Sequence, residues 1–395
     1  MSLAAQTKVA AAVADNPQWL QPLGGTQGTQ PSPSPLPPGI LNPLLYRTLV
    51  DGASDLIVST HREPTMRIVG KLKKVNGVRI TQEEFSAVLL EGLPPLKRDE
   101  FENKGSVDLS YELENPDSEK PHRFRVNAFR HNEGWSAAFR PIWETIPTLG
   151  ELNLPGHLTE VTAFPHGLVL VTGPTGSGKS TTLSSLIEHV NQNRFVHIIT
   201  LEDPIEYLYT SRHSVIHQRE VGTHLESFAS GLKAALRENP DIILVGEMRD
   251  KETVAAALTA AETGHLVLST LHTANAAQAI DRMVDVFPSH QQSQVRIQLA
   301  SVLRAVVTQR LLPTQDGAGR IPVVEIVRLN YALANLIREQ KTHLFTSQIQ
   351  TSRGDGMVLF DQSLAEVYQK GWISLEEALR AAHDPKYIKS VLGLA

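Results

Sequence analysis

The chain has 395 residues, 41% of them hydrophobic and 20% charged, with a formal net charge of −5 and no cysteine. The lack of Cys excludes disulfides, thiolate zinc sites and cysteine nucleophiles, and the acidic balance argues against a broad nucleic-acid surface. No apolar run reaches the roughly 20 residues that span a bilayer, and Met1–Leu20, with one Lys and a short Ala/Val stretch, lacks the solid apolar core of a secretory signal.

Such a length implies two domains. Residues 1–40 read as a flexible extension: 21–38 (QPLGGTQGTQPSPSPLPP) are rich in Pro, Gly, Ser, Thr and Gln and bury too little apolar surface to offset their ordering entropy. A first domain, 41–149, begins with a short helix over 42–51. Strands follow over 55–58 and 65–69, with turns at Gly70 and Asn76-Gly77. A helix over 81–93 starts on the capping pattern Thr81-Gln-Glu-Glu, and 106–113, 124–129 and 136–139 alternate as strands. The second domain, 150–395, has apolar strands over 168–171, 196–201, 242–245 and 266–268. Helices over 181–191, 228–237 and 251–262 lie between them. That alternation implies a mostly parallel sheet covered on both faces. From Arg320 onward the tail reads as mainly helical, over 331–340, 361–370 and 374–383.

Between the first of those strands and the first helix stands Gly173-Pro-Thr-Gly-Ser-Gly-Lys-Ser180, which fits the phosphate-loop pattern G-x-x-x-x-G-K-[ST]. Gly173, Gly176 and Gly178 let the backbone wrap an anion, with Pro174, Thr175, Ser177 and Thr181 completing the loop and helix start. Lys179 reaches the β- and γ-phosphates of ATP, and the Ser180 hydroxyl ligates Mg²⁺. Hydrolysis also needs a metal-holding carboxylate, a base for water and cations for the phosphoryl oxygens. Asp241-Ile-Ile-Leu-Val-Gly-Glu247 is a strand ending in an acid, a Walker B arrangement in which Gly246 replaces the usual Asp and Glu247 takes the metal role. In Thr200-Leu-Glu-Asp-Pro-Ile-Glu206, Glu206 is the candidate base, with Glu202 and Asp203 positioning it or the metal. His265 precedes the strand at 266 and His272 follows it, as phosphate sensors, metal ligands or structural histidines. Arg123, Arg125, Arg130 and Arg140 lie along two first-domain strands, and Arg212 and Arg219 follow the acidic turn. They are solvated surface charges unless a triphosphate draws a mobile domain closed.

Together these motifs resemble the secretion-ATPase superfamily, and within it the PilT-type retraction motors of type IV pili, over about residues 42–385. Glu202-Asp-Pro-Ile-Glu206 looks like the family's Asp box, Ile243-Leu-Val-Gly-Glu-Met-Arg-Asp250 like Walker B, and Gly264-His-Leu-Val-Leu-Ser-Thr-Leu-His-Thr273 like the His box. Gly52-Ala-Ser-Asp-Leu56 matches the opening of its PAS-like domain. The resemblance implies a RecA-like α/β core with a smaller α+β PAS-like domain and a helical tail, assembled as a homohexamer on the cytoplasmic face of the inner membrane. It implies catalytic roles for Glu206, Glu247, His272, Arg125 and Arg140, and nucleotide contacts from residues 173–181, Glu202, Asp203, His265, Arg212 and Arg219. Implied partners are an inner-membrane pilus platform protein and an assembly or paralogous retraction ATPase. Ala332-Leu-Ala-Asn-Leu-Ile-Arg-Glu339 resembles the retraction element AIRNLIRE, departing at Ala334. The four-cysteine insert of assembly-type relatives has no counterpart between Arg310 and Arg320.

Two other functions share the nucleotide core. A RecA-like nucleic-acid motor needs a basic stripe with interleaved aromatics, which the sequence does not display. An accessory retraction paralogue with low intrinsic hydrolysis is told apart by its rate of phosphate release.

Overall fold

Alternation writes the first sheet. In the strand His122–His131, Phe124, Val126 and Ala128 are buried while Arg123, Arg125 and Asn127 between them turn outward. The computed structural model describes residues 41–393 apart from 69, 91, 92, 94, 117–120, 143, 144, 318 and 352–355. The Pro-rich extension lies outside the described residues. The chain divides into two units, Met1–Trp143 and Glu144–Ala395. Residues 145–149, assigned to the first domain from sequence, thus fall in the second, where Leu149 is buried in the core beside Val169 and Leu186.

The first unit runs α1 (Leu41–Val50), β1 (Asp55–Ser59), β2 (Thr65–Ile68), β3 (Lys71–Lys74), α2 (Gln82–Phe85), α3 (Pro95–Lys104), β4 (Ser106–Leu113), β5 (His122–His131) and β6 (Gly134–Ile142). Its six strands form an antiparallel sheet in the order β3-β2-β1-β6-β5-β4. Leu44 and Leu45 of α1, Phe85 of α2 and Phe101 of α3 pack on the inner face with Leu56, Met66 and Phe139. The capping box at Thr81 is present, with Glu84 Oε2 accepting from the Thr81 N–H at 2.7 Å. The α-helix it starts is shorter than expected, passing into a π-helical turn over Ser86–Leu90. Strand β3 and helix α3 are additions to the sequence reading. β3 is wholly exposed and carries three lysines, a guarded edge with no apolar alternation to betray it.

The second unit runs β7 (Gly167–Thr172), α4 (Lys179–Asn193), β8 (His197–Glu202), β9 (Val215–Glu220), α5 (Phe228–Ala235), β10 (Ile242–Val245), α6 (Lys251–Glu262), β11 (Leu266–Leu271), α7 (Ala276–Asp285), α8 (Ser289–Val302), β12 (Leu303–Pro313), β13 (Arg320–Arg328), α9 (Tyr331–Arg338), α10 (Phe345–Thr351), α11 (Phe360–Gln369), α12 (Leu375–Ala381) and α13 (Pro385–Val391). Its seven strands lie in the order β13-β12-β7-β11-β10-β8-β9 and are parallel except for β13. One face is covered by α4, through Leu183, Leu186 and Ile187, over Val169, Val171 and Leu268. The other holds Leu168, Leu170, Ile243 and Val267 against Ala257 of α6 and Leu299 of α8. The tail is not helical from Arg320. β13 occupies 320–328, and α11 packs on it through Phe360 and Leu364, with Ala378 of α12 and Ile388 of α13 in the same apolar cluster. Because β7, β11, β10 and β8 are parallel, their carboxyl ends at Thr172, Leu271, Val245 and Glu202 share one edge. Open α/β sheets bind ligands at that edge.

Candidate functional site

The phosphate loop leaves β7, all six residues of which are buried. Gly176 and Gly178 have φ of 77° and 85°, a left-handed backbone that favours glycine. Gly173 is required for a second reason: a Cβ there would lie 2.2 Å from the Gln309 carbonyl oxygen. Helix α4 begins at Lys179, so its first N–H groups have no intrahelical partner and form an anion site. The Ser177 hydroxyl is buried without a hydrogen-bond partner among the described residues. The Lys179 ammonium is buried and donates to the carbonyls of Gly173 and Pro174 at 3.0 and 3.1 Å. Burial lowers its pKa, opposed by the charges of Glu247 and Glu206. An orphaned hydroxyl, unpaired N–H groups and a buried cation are what a polyphosphate satisfies.

The acids end the neighbouring strands. Glu247 follows β10, with Arg249 Nε 2.7 Å from its Oε1 and His272 Nε2 3.7 Å from its Oε2. The other ring nitrogen of His272 is 3.5 Å from the Thr175 hydroxyl. One imidazole thus connects the ends of β10 and β11 to the loop. Burial first, then the Lys179 charge, depresses the His272 pKa, keeping the ring neutral at physiological pH. Glu206 and Asp203 are exposed on the turn after β8.

Glu202 differs from both. It is buried, and its carboxylate accepts from the Thr200 hydroxyl at 2.6 Å, from Gln218 Nε2 at 3.1 Å and from the Glu206 backbone N–H. It therefore braces the turn that presents Glu206. Burial raises its pKa from 4.5 to about 7 despite those hydrogen bonds. A carboxyl with a raised folded-state pKa adds stability that is complete below pH 4.5 and is lost as pH rises through about 7. Glu202→Gln cannot ionise. Urea unfolding should therefore show its stability relative to the parent improving from pH 5 to pH 8, by at most about 3 kcal/mol. A pH-independent difference would mean that folding does not raise the Glu202 pKa.

Other expected site residues are placed elsewhere. His265 sits at the amino end of β11, bonded to the Ala260 carbonyl at 3.0 Å. The length of β11, about 20 Å, separates it from this chain's own loop, so it is not a contact for a nucleotide bound there. Arg212 pairs with Glu188 at 3.3 Å, well along α4, about 12 Å of helix from Ser180. Arg219 pairs with Glu238 at 2.7 Å. In the first unit Arg125 and Arg140 stand opposite each other across β5 and β6. Arg125 lies 3.7 Å from Asp108, and Arg140 lies 2.8 Å from Asp55.

Sequence reasoning missed three neighbours of the loop. Tyr207 OH is 3.2 Å from the Thr181 hydroxyl, tying the Glu206 turn to the head of α4. Arg320 Nη1 is 3.5 Å from the Gly176 carbonyl. Gln309, on β12, bonds Ser177 and Thr182. A polar triplet, Thr308-Gln-Arg310, inside an apolar run was the available signal, since a buried polar group needs a partner. Arg320, Glu151, Asn153 and Thr181 line a cleft of about 300 Å³ that opens beside the loop.

Comparison with known proteins agrees with this geometry. The family described as "Type II/IV secretion system protein" matches residues 150–380. A twitching motility protein of Neisseria gonorrhoeae is 46% identical over 321 residues, 81% of this chain and 84% of that one. The type IV pilus retractation ATPase PilT of Pseudomonas aeruginosa is 43% identical over 343 residues, 87% of this chain and 98% of that one. The crystal structure of a pilus retraction motor PilT with bound ADP superposes with a TM-score of 0.80 at 42% identity, covering 89% of this chain and 99% of that one. Identity of this extent, over a core with an intact phosphate loop, places the chain in the type II/IV secretion system protein family, among its PilT-type pilus retraction ATPases.

Proposed function

We propose that this chain is a Mg²⁺-dependent ATPase motor that drives type IV pilus retraction. It works as a homohexameric ring on the cytoplasmic face of the membrane against a platform protein. The retraction reading is carried by one observation: 43% identity along 98% of a relative named as a retraction ATPase. The hydrolytic chemistry is supported by the acids around Lys179.

The nucleotide's phosphates sit on the N–H groups of the loop and α4, with Lys179 turning from the loop carbonyls to the terminal phosphates. The nucleoside fits the cleft lined by Arg320 and Asn153. Among the described residues no three-ligand cage exists, and Mg²⁺ needs none, because phosphate oxygens and waters supply most of its shell. The Ser180 hydroxyl and the Glu247 carboxylate are the oxygen donors that fit it. Bound Mg²⁺ supplies charge neutralisation at the phosphoryl oxygens. Glu206 accepts the proton of the attacking water, Glu202 fixes the turn that carries it, and neutral His272 stands between Glu247 and the loop. Arg125 and Arg140 are the cations available to exchange their carboxylate partners for phosphate oxygens. Arg140 is exposed and Arg125 partly so, and surface ion pairs contribute only about 0–1 kcal/mol, so the exchange costs little.

Deleting the gene and counting surface pili tests the direction of work. Hyperpiliated cells that cannot withdraw their fibres are expected. Bald cells would overturn retraction in favour of assembly.

A further inference from the structure

Gln309 stands one residue beyond the last rung of the β12–β7 ladder. Thr308 is opposite Thr172, and their hydroxyls are 2.9 Å apart. That register sets Gln309 beside Gly173, the first residue of the phosphate loop. Its side chain is buried and both ends of its amide are engaged. Nε2 donates to the Ser177 carbonyl at 2.7 Å, and Oε1 accepts from the Thr182 hydroxyl at 2.7 Å. The amide has only one satisfactory orientation, because the Ser177 carbonyl can only accept. The Ser177 carbonyl thus selects which end of the amide faces the loop, and the Thr182 hydroxyl, donating to Oε1, anchors the amide in that orientation.

The consequence follows from peptide geometry. The Ser177 carbonyl and the Gly178 N–H belong to one planar trans unit and point in opposite directions. Holding that carbonyl against β12 turns the Gly178 N–H away from β12. Among the described residues nothing accepts from it. We propose that Gln309 is a positioning residue: it sets the Gly178 N–H for a phosphate oxygen before nucleotide arrives, and Thr182 sets Gln309. This rests on the reading of residues 173–180 as a nucleotide-binding loop. A preformed donor spares the bound state the cost of ordering it, so the effect falls on ground-state binding.

The test is ADP titration calorimetry and steady-state ATP hydrolysis on the full chain, with thermal midpoints taken without nucleotide. Gln309→Met keeps the length and apolar stem but removes donor and acceptor. Its Kd for ADP and KM for ATP should rise about tenfold, with kcat within about twofold. Thr182→Val should weaken ADP about threefold, and Thr182→Ser, which restores the hydroxyl, should bind as the parent does. A Gln309→Met protein with a lowered midpoint but unchanged Kd and KM would overturn the proposal and leave Gln309 a packing residue. If Gln309→Met fails to fold, the threonine pair decides: Thr182→Val binding ADP like the parent would equally overturn it. A parent protein that binds no ADP would refute the loop reading itself, a result distinct from either.

Discussion

Glu206→Gln is expected to keep ATP bound and to release phosphate about 10² to 10⁴ times more slowly than the parent, the span for losing a general base. The substitution preserves shape, so the turn stays braced by Glu202, which bonds the backbone N–H of residue 206 and not its side chain. It also removes a negative charge close enough to perturb Lys179, so affinity for an anionic nucleotide should hold or rise. A fall in kcat with KM unchanged identifies an interaction made only in the transition state. Glu247→Gln should separate from it in kind, because a metal-holding carboxylate shifts the Mg²⁺ concentration needed for half-maximal rate and Glu206 does not. Hydrolysis by Glu206→Gln at the parental rate would remove Glu206 from the base role.

The parts of this site legible in sequence are those whose chemistry is local. The loop is read from glycines that the backbone requires at 176 and 178, and β10 and α6 are bounded by a buried apolar run and an Asp250 cap. The parts that escaped depend on which strands adjoin. Helix α8 passes into β12 at Val302–Leu303 with no Gly or Pro between them, so no punctuation marks the change of period. Missing β12 meant missing Gln309. Three acids in five residues also look alike until β8 is known to run to Glu202, which puts that carboxyl in the interior and leaves Asp203 and Glu206 outside. His265 and His272 flank β11 symmetrically in sequence. The rule that parallel strands present ligands at their carboxyl ends separates them, and it was available from the strand order alone.

Lys179→Met is expected to weaken ADP binding by about 10² or more, since charge-assisted hydrogen bonds contribute about 1.5–3 kcal/mol each and the ammonium reaches more than one phosphate oxygen. Without nucleotide the substitution has opposing effects. It removes a buried charge that burial already disfavours, and it strips the Gly173 and Pro174 carbonyls of a donor. Two hydrogen bonds are lost, but the Pro174 carbonyl keeps the Ser177 N–H at 3.2 Å, so one carbonyl left without its donor is set against one relieved charge and the unliganded melting midpoint should move little. The ligand response should not survive. At an ADP concentration 100 times the parental Kd, binding stabilises the parent by about 2.7 kcal/mol. A hundredfold weaker variant at the same concentration gains only about 0.4 kcal/mol. A thermal scan with and without ADP therefore distinguishes a lysine that holds phosphate from one that only staples the loop. In the second case the unliganded midpoint falls while the ADP-induced rise remains, and the phosphate contact assigned to Lys179 is wrong.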